Sequence, residues 1–402
     1  MRRALLVILT MALLFVIASP TEAFAQADDL DQERLEEYTK IRNLWRFASP
    51  TINLCILAFL FFSGFSRWLY HKTESFLPRL LRFPLYIMAL MLSAYLLRLP
   101  FSIWRGYIVE LDFGMRNQSF GLWLGDYATG VLLLSLQIVI VAVVFYWLVN
   151  RFKHWWLIFT AIMAPLIVVG VILTPLVINP IFNNFTPLPE GDLRNRIEAL
   201  SAGAGADDPE ILVMDASKRS PRVNAYVTGL LGSKRIVLYD TLLDRLTEDE
   251  VLEVVAHELG HYVMHHIWWG VGAAILILLF WIRVFAYLLP RILARLPKQL
   301  LSNGLSSRSA FPVILALVLT LDFMSKPMAN YVSRTIEYQA DSFAFELSGR
   351  DLETAKSVRD KLGKSNLSDP DPHPFIEFWF YTHPSPKSRL ENIKRLAGEQ
   401  EK

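Results

Sequence analysis

Cysteine is almost absent: Cys55 is the only one in 402 residues, and it sits inside an apolar run with no intrachain partner. This excludes a disulfide scaffold and a Cys-based zinc site, so any metal must be held by His and carboxylate. Charge is scarce too. Asp, Glu, Lys and Arg make up 19% of the chain against 53% hydrophobic side chains, too apolar a balance for an ordinary soluble protein. An excess of one sign is also missing: 40 Lys and Arg face 38 Asp and Glu, which points to no nucleic-acid partner and no polybasic membrane clamp. What remains is the composition of a polytopic membrane protein.

Six stretches are long and apolar enough to cross a hydrocarbon core, which takes about 20 helical residues. They are 50–66, 83–104, 129–149, 155–178, 267–289 and 310–328. Trp155, Trp156, Trp268 and Trp269 mark span ends, where amphipathic rings favour the headgroup layer. Ahead of them, Arg2 and Arg3 precede an apolar run and a small-residue site at Ala23, Phe24 and Ala25, the pattern of a cleaved secretory leader. An uncut leader would instead be a first transmembrane helix. Short cytoplasmic loops collect Lys and Arg. The three basic loops hold Arg67, Lys72, Arg79 and Arg82; Arg151 and Lys153; and Arg291, Arg295, Lys298 and Arg308. Placing them in the cytoplasm puts 105–126, 179–266 and everything after 328 on the extracytoplasmic side of an inner or plasma membrane. Polar groups within spans are functional candidates by default, here Arg98, Gln137, Arg283, Asp322 and Lys326. Arg98 and Lys326 lie near span ends and are expected to snorkel.

Between 179 and 266 the composition turns globular. The pattern predicts a helix over 192–202 and strands over 210–214, 223–230 and 235–239, the last two joined by a turn at 231–234. Thr247 to Glu250 then reads as a capping box opening a helix. That helix carries His257-Glu258-Leu259-Gly260-His261. At a spacing of four the two imidazoles share one helix face and can reach one Zn²⁺, with Glu258 beside them placed to take a proton from water at the metal. The alternative is a chance pair of histidines on a surface helix. A catalytic zinc takes a third protein ligand. Glu337 and Asp341, just past the last span, fall one helical turn apart, and one carboxylate can bind metal while the other orders a ligand His. Alone, such a pair is more often a solvated face. His265 is one turn beyond His261, although both it and His266 are expected as polar groups at the membrane interface.

Taken together, 257–261, Glu337 to Asp341 with Ser333 and Arg334 before them, the stretch 224–229, Thr382 to Ser385 with Arg389, and the run 179–188 resemble the integral-membrane zinc proteases of the CAAX prenyl protease type. The resemblance is close from about 178 onward and covers the spans in outline. It implies a helical membrane barrel whose metal site opens to an enclosed chamber. By matched motif, Glu337 is the third ligand and Asp341 its supporting partner. Asn224 holds the substrate backbone, with the substrate adding to the edge of its strand. His383 and Arg389 stabilise the oxyanion or order the site. Read without the resemblance, His383 is a turn residue before Pro384, and Arg389 is a surface charge on a helix that Ser385 caps. The family is described with seven spans, one more than remain after leader removal, and its catalytic region is usually assigned to the cytoplasmic side.

The expected fold is mostly α, a polytopic membrane helical bundle or barrel with a small α+β zincin-like catalytic domain. Its expected parts are 1–25 (leader or first helix), 26–178 (four spans), 179–266 (catalytic domain), 267–328 (two spans) and 329–402 (the segment with the third ligand). The expected activity is zinc metalloendopeptidase, with one Zn²⁺ per chain. Its partners are membrane lipid and a peptide or protein substrate, lipidated C-termini included. Two other readings stand beside CAAX-like processing. One is a general membrane-protein quality-control protease. The other is a non-catalytic metal-binding scaffold or transporter, which would predict inverted repeats that the spans do not display.

Overall fold

A computed structural model describes residues 32–228, 234–301, 307–349 and 351–398. The leader or first helix expected over 1–25 lies outside these residues, as does most of the turn expected at 231–234. The described residues contain six helices long and apolar enough to cross a membrane. Four come first: α1 (Gln32–Phe62), then after the short α2 (Phe65–Phe76) the helices α3 (Arg79–Asp112), α4 (Phe120–Arg151) and α5 (Trp155–Phe182).

Helix α1 begins well before the expected 50, with Pro50 inside it. Its polar first half is helical because it has tertiary partners on the end of α3. Tyr38 donates to Glu110 Oε1 at 2.9 Å, and Arg34 donates to the Asp112 carbonyl at 2.8 Å. Arg98 does not snorkel as expected. Its guanidinium turns onto α1, bonding the Asn53 side chain and, at 2.9 Å, Ser49 Oγ. Arg283 likewise finds a partner, lying 5.6 Å above the Trp156 ring, whereas Gln137 and Asp322 are exposed on their helices.

The globular part is a four-stranded sheet of β1 (Phe185–Pro187), β2 (Glu210–Met214), β3 (Ala225–Thr228) and β4 (Arg235–Tyr239), in the order β1-β2-β4-β3. β2 and β4 run parallel, and both outer strands pair antiparallel. β1, three residues ending in a proline, carries no alternation a sequence reading could detect. One sheet face buries Ile211, Ile236 and Leu238 against α6 (Asp192–Gly203) and, after α7 (Asp240–Arg245), against Val255 and Leu259 of α8 (Glu248–Val263). The expected capping box opens α8: the Glu250 N–H donates to Thr247 Oγ1 and the Thr247 N–H to Glu250 Oε2.

Two more spans follow, α9 (His266–Leu293) and α10 (Phe311–Leu347). With α3 and α4 they share the main membrane core, around Tyr86, Leu90, Tyr146, Phe285 and Phe311. Helix α10 does not end near 328 but continues for 37 residues in all, through Pro327, and lays its second half against α8. The chain closes with α11 (Leu352–Ser365), α12 (Pro374–Phe380) and α13 (Pro386–Ala397), the last capped by Ser385, whose Oγ accepts from the Ser388 N–H.

Candidate active site

α8 and α10 meet closely at Gly260. A Cβ there would stand 3.1 Å from Phe343 Cδ1 and 3.3 Å from Ala340 Cα, tighter than ordinary van der Waals contact. The missing side chain lets the two backbones approach, which sets the histidines of one helix against the carboxylates of the other. His257 Nε2 and His261 Nε2 are 3.1 Å apart. The Glu337 carboxylate lies 3.3 Å from the first and 3.5 Å from the second.

These three ligand atoms all lie within 4.8 Å of one another, the arrangement of a metal-binding group. Two further observations fit a cation. Buried Glu337 turns Oε2 toward His257 Nε2 and Oε1 toward His261 Nε2, so both of its oxygens face the two imidazoles. The charge balance also calls for positive charge: burial opposes a proton on His257, yet hydrogen bonds to Asp341 and Glu337 outweigh burial and lift the imidazole to about 9. Burial and the neighbouring His257 push His261 down to about 4.

Asp341 supports the group from behind. It is fully buried, and its Oδ1 lies 3.1 Å from His257 Nδ1, so it accepts that proton and leaves Nε2 facing the ligand cluster. Arg389 clamps Asp341 with two hydrogen bonds of 2.9 and 2.6 Å. Burial works against the Arg389 charge, and Asp341 more than restores it. Arg359 of α11 adds a third contact to Asp341 at 3.0 Å and reaches Glu253 at 3.3 Å. Arg389 thus meets the cluster chiefly through Asp341, with Nη2 also 3.5 Å from His257 Nδ1.

Glu258 lies on the sheet side of the cluster, where its carboxylate accepts the Val227 N–H of β3. Burial raises this carboxyl to about 7; His257 pulls it down and Glu337 pushes it up. A group poised there can take and return a proton near neutral pH. His383 stands on the other side, its Nε2 3.3 Å from Glu337 Oε1 and its side chain half exposed. Burial depresses its pKa. Asn224 is the one expected site residue not drawn into the cluster: it is exposed just before β3, its carbonyl accepts the Tyr239 N–H, and its side chain bonds the Tyr239 hydroxyl.

Of the two histidines after α8, His266 departs from expectation. His265 adopts φ 58° at the break between α8 and α9 and is exposed. His266 instead folds back and is buried, with Nδ1 3.1 Å from His261 Nδ1 and Nε2 3.1 Å from Gln339 Oε1. Arg359 and Glu253 were missed from sequence, Gln339 was passed over inside 337–341, and His266 was assigned to the membrane interface; none of the four belongs to a spaced motif.

A helical membrane bundle with a His-His-Glu cluster and a half-buried Glu between that cluster and a sheet edge defines a membrane metalloprotease. Two sequence profiles match, the M48 peptidase family over residues 187–397 and the CAAX prenyl protease N-terminal region with five membrane helices over 5–184. The chain belongs to peptidase family M48, in its CAAX prenyl protease branch. It is 30% identical to the metalloprotease YhfN of Bacillus subtilis, over 91% of this chain and 86% of that one. It is also 30% identical to the CAAX prenyl protease 1 homolog of Arabidopsis thaliana, over 93% and 89%. The crystal structure of S. mikatae Ste24p superposes with a TM-score of 0.78 at 25% identity, covering 91% of this chain and 90% of that one.

Proposed function

We propose that this protease is a zinc-dependent endopeptidase that cuts near the C-terminus of membrane-associated proteins, lipidated CAAX-like chains among them. The observation that carries the reading is the placement of Glu258, held between the ligand cluster and the edge strand β3. Zinc bound by His257, His261 and Glu337 would supply Lewis acidity to the peptide carbonyl and its attacking water. Glu258 takes the proton from that water as the oxygen adds to the carbonyl carbon, then delivers it to the leaving nitrogen as the C–N bond breaks. His383 faces the open side and stabilises the developing oxyanion. Arg389 and Asp341 hold His257 in place. The backbone of β3 and the exposed Asn224 carboxamide hold the substrate as an added strand.

Glu258→Gln is expected to abolish turnover while leaving bound zinc at one equivalent by elemental analysis. Appreciable cleavage by that variant would refute the role. Farnesylated and unmodified CAAX-ended peptides then separate two substrate classes: farnesyl-dependent cleavage supports lipid-directed processing, and equal rates support a general membrane protease. The loop charges favour the second, because they place the catalytic domain outside the cytoplasm. Ser201 is buried, but neighbouring Ala202 is exposed. An Ala202→Cys, Cys55→Ser chain therefore tests the orientation: labelling of intact cells by an impermeant thiol reagent supports it, and labelling only after lysis overturns it.

A further inference from the structure

We propose that Asn366 is a specificity-determining residue: its carboxamide closes one end of the β3 edge and so limits how far a substrate can extend beyond the bond that is cut. The inference rests on the endopeptidase reading above and adds a polarity to it.

β3 is an outer strand paired on one side only, antiparallel to β4 in the register Ala225↔Leu238 and Val227↔Ile236. The Tyr239 N–H donates to the Asn224 carbonyl, so even-numbered residues make the ladder bonds to β4. By the alternation of an antiparallel pair, the backbone groups of odd-numbered residues point away from β4, toward the side where a further strand would add. Three such positions follow one another, and each has a different fate. At Val227 the N–H is held by Glu258. At Val223 both groups are taken: the N–H donates to Asn366 Oδ1 at 3.0 Å, and Asn366 Nδ2 donates to the carbonyl at 3.1 Å. One side-chain amide thus reproduces the paired contacts of an incoming strand. Ala225 lies between them.

Val223 and Ala225 turn their side chains into the core beneath the sheet, with 2% and 3% exposure, whereas Asn224 between them is exposed. At Val223 the edge is closed by the Asn366 amide. A substrate adding antiparallel, the better-paired orientation, runs opposite to β3 and points its C-terminal side at the closed end.

Asn366 is held there by strain and by the membrane helices. The next residue, Leu367, has φ 47°, a left-handed conformation unusual for a leucine. Its side chain is buried against Tyr38, Val109 and Phe113, and its carbonyl accepts a 2.7 Å hydrogen bond from Arg42 of α1. A residue that only ended α11 would not need this anchoring.

The test uses the full chain, purified with zinc, and two nested series of peptides around one cleavage site, extended residue by residue on the C-terminal or the N-terminal side. Mass spectrometry reads the bond cut, and kcat/KM is measured for each length. The wild type is expected to lose about tenfold or more in kcat/KM once the C-terminal tail outgrows the closed end, and to tolerate N-terminal extension. Asn366→Ala should restore long-tail peptides toward the short-tail rate while changing the short-tail rate little, and Asn366→Asp, which keeps the acceptor but loses the donor, should do so in part. A purely structural role would lower all lengths together. An unchanged tail profile in a folded, active variant, or a wild type that discriminates N-terminal length instead, overturns the inference alone. Failure of the wild type to cut any peptide overturns the endopeptidase reading and this inference with it.

Discussion

α5 and α10 are both long enough and apolar enough to cross a bilayer, yet they are built for different neighbours. None of the most apolar 18-residue window of α5 is buried inside the protein, against 39% for α10. α5 exposes Leu166, Val169 and Leu173. α10 packs along α1, α9 and then α8, and delivers Glu337 and Asp341 at its far end. Identity along α5 is therefore governed by solvation in lipid, whereas identity along the last turns of α10 is governed by individual partners.

The sharpest way to break this contrast is Asp341→Asn. It leaves the buried Arg389 charge without its anion and Arg359 with Glu253 alone, so a loss of about 3–5 kcal/mol in stability is expected. Zinc affinity should fall about 10–100-fold with it, from the loss of the His257 partner. Thermal unfolding and metal titration check both; near-normal values would mean the arginines relax to solvent. On α5 a single charge should matter for a different reason. Leu166→Arg, 46% exposed today, is expected to cost about 2.5–3.5 kcal/mol of insertion, read as lost membrane integration with no specific effect on zinc. Gly260→Ala comes next. Its Cβ must displace the Phe343 ring or part the helices by a few tenths of an ångström, at about 1–3 kcal/mol, and kcat should fall more than KM rises.

The span count and the facing pair His257 and His261 were legible because each rests on a pattern of spacing: apolar runs of the right length, and histidines four apart on a capped helix. Glu337 and Asp341 were legible as a pair but took their roles from a resemblance. The first half of α1 was not legible, since Tyr38 and Arg34 become helix-stabilising only through Glu110 and Asp112, far along the chain. Arg359 and His266 were hidden for the same reason.

The smallest expected effect lies on the catalytic domain's surface. Burial would raise the Glu250 carboxyl, but Lys361, Ser357 and the Thr247 N–H together hold it below its ordinary 4.5. A carboxyl depressed in the folded state contributes stability that is fully present above its unfolded value and is lost as pH falls through the folded one. Lys361→Met should therefore reduce stability at neutral pH and flatten its decline below about pH 4.5, with no change in zinc content.

His261 and Glu337 are separated by two membrane-crossing helices. During biosynthesis a chain inserted only as far as α9 has two of the three residues of the His-His-Glu group and lacks the Asp341 that bonds His257. The hydrolytic centre is thus completed only by correct integration of α10, so a stalled or misthreaded nascent chain is born inactive, and activity itself reports that the whole topology has been achieved.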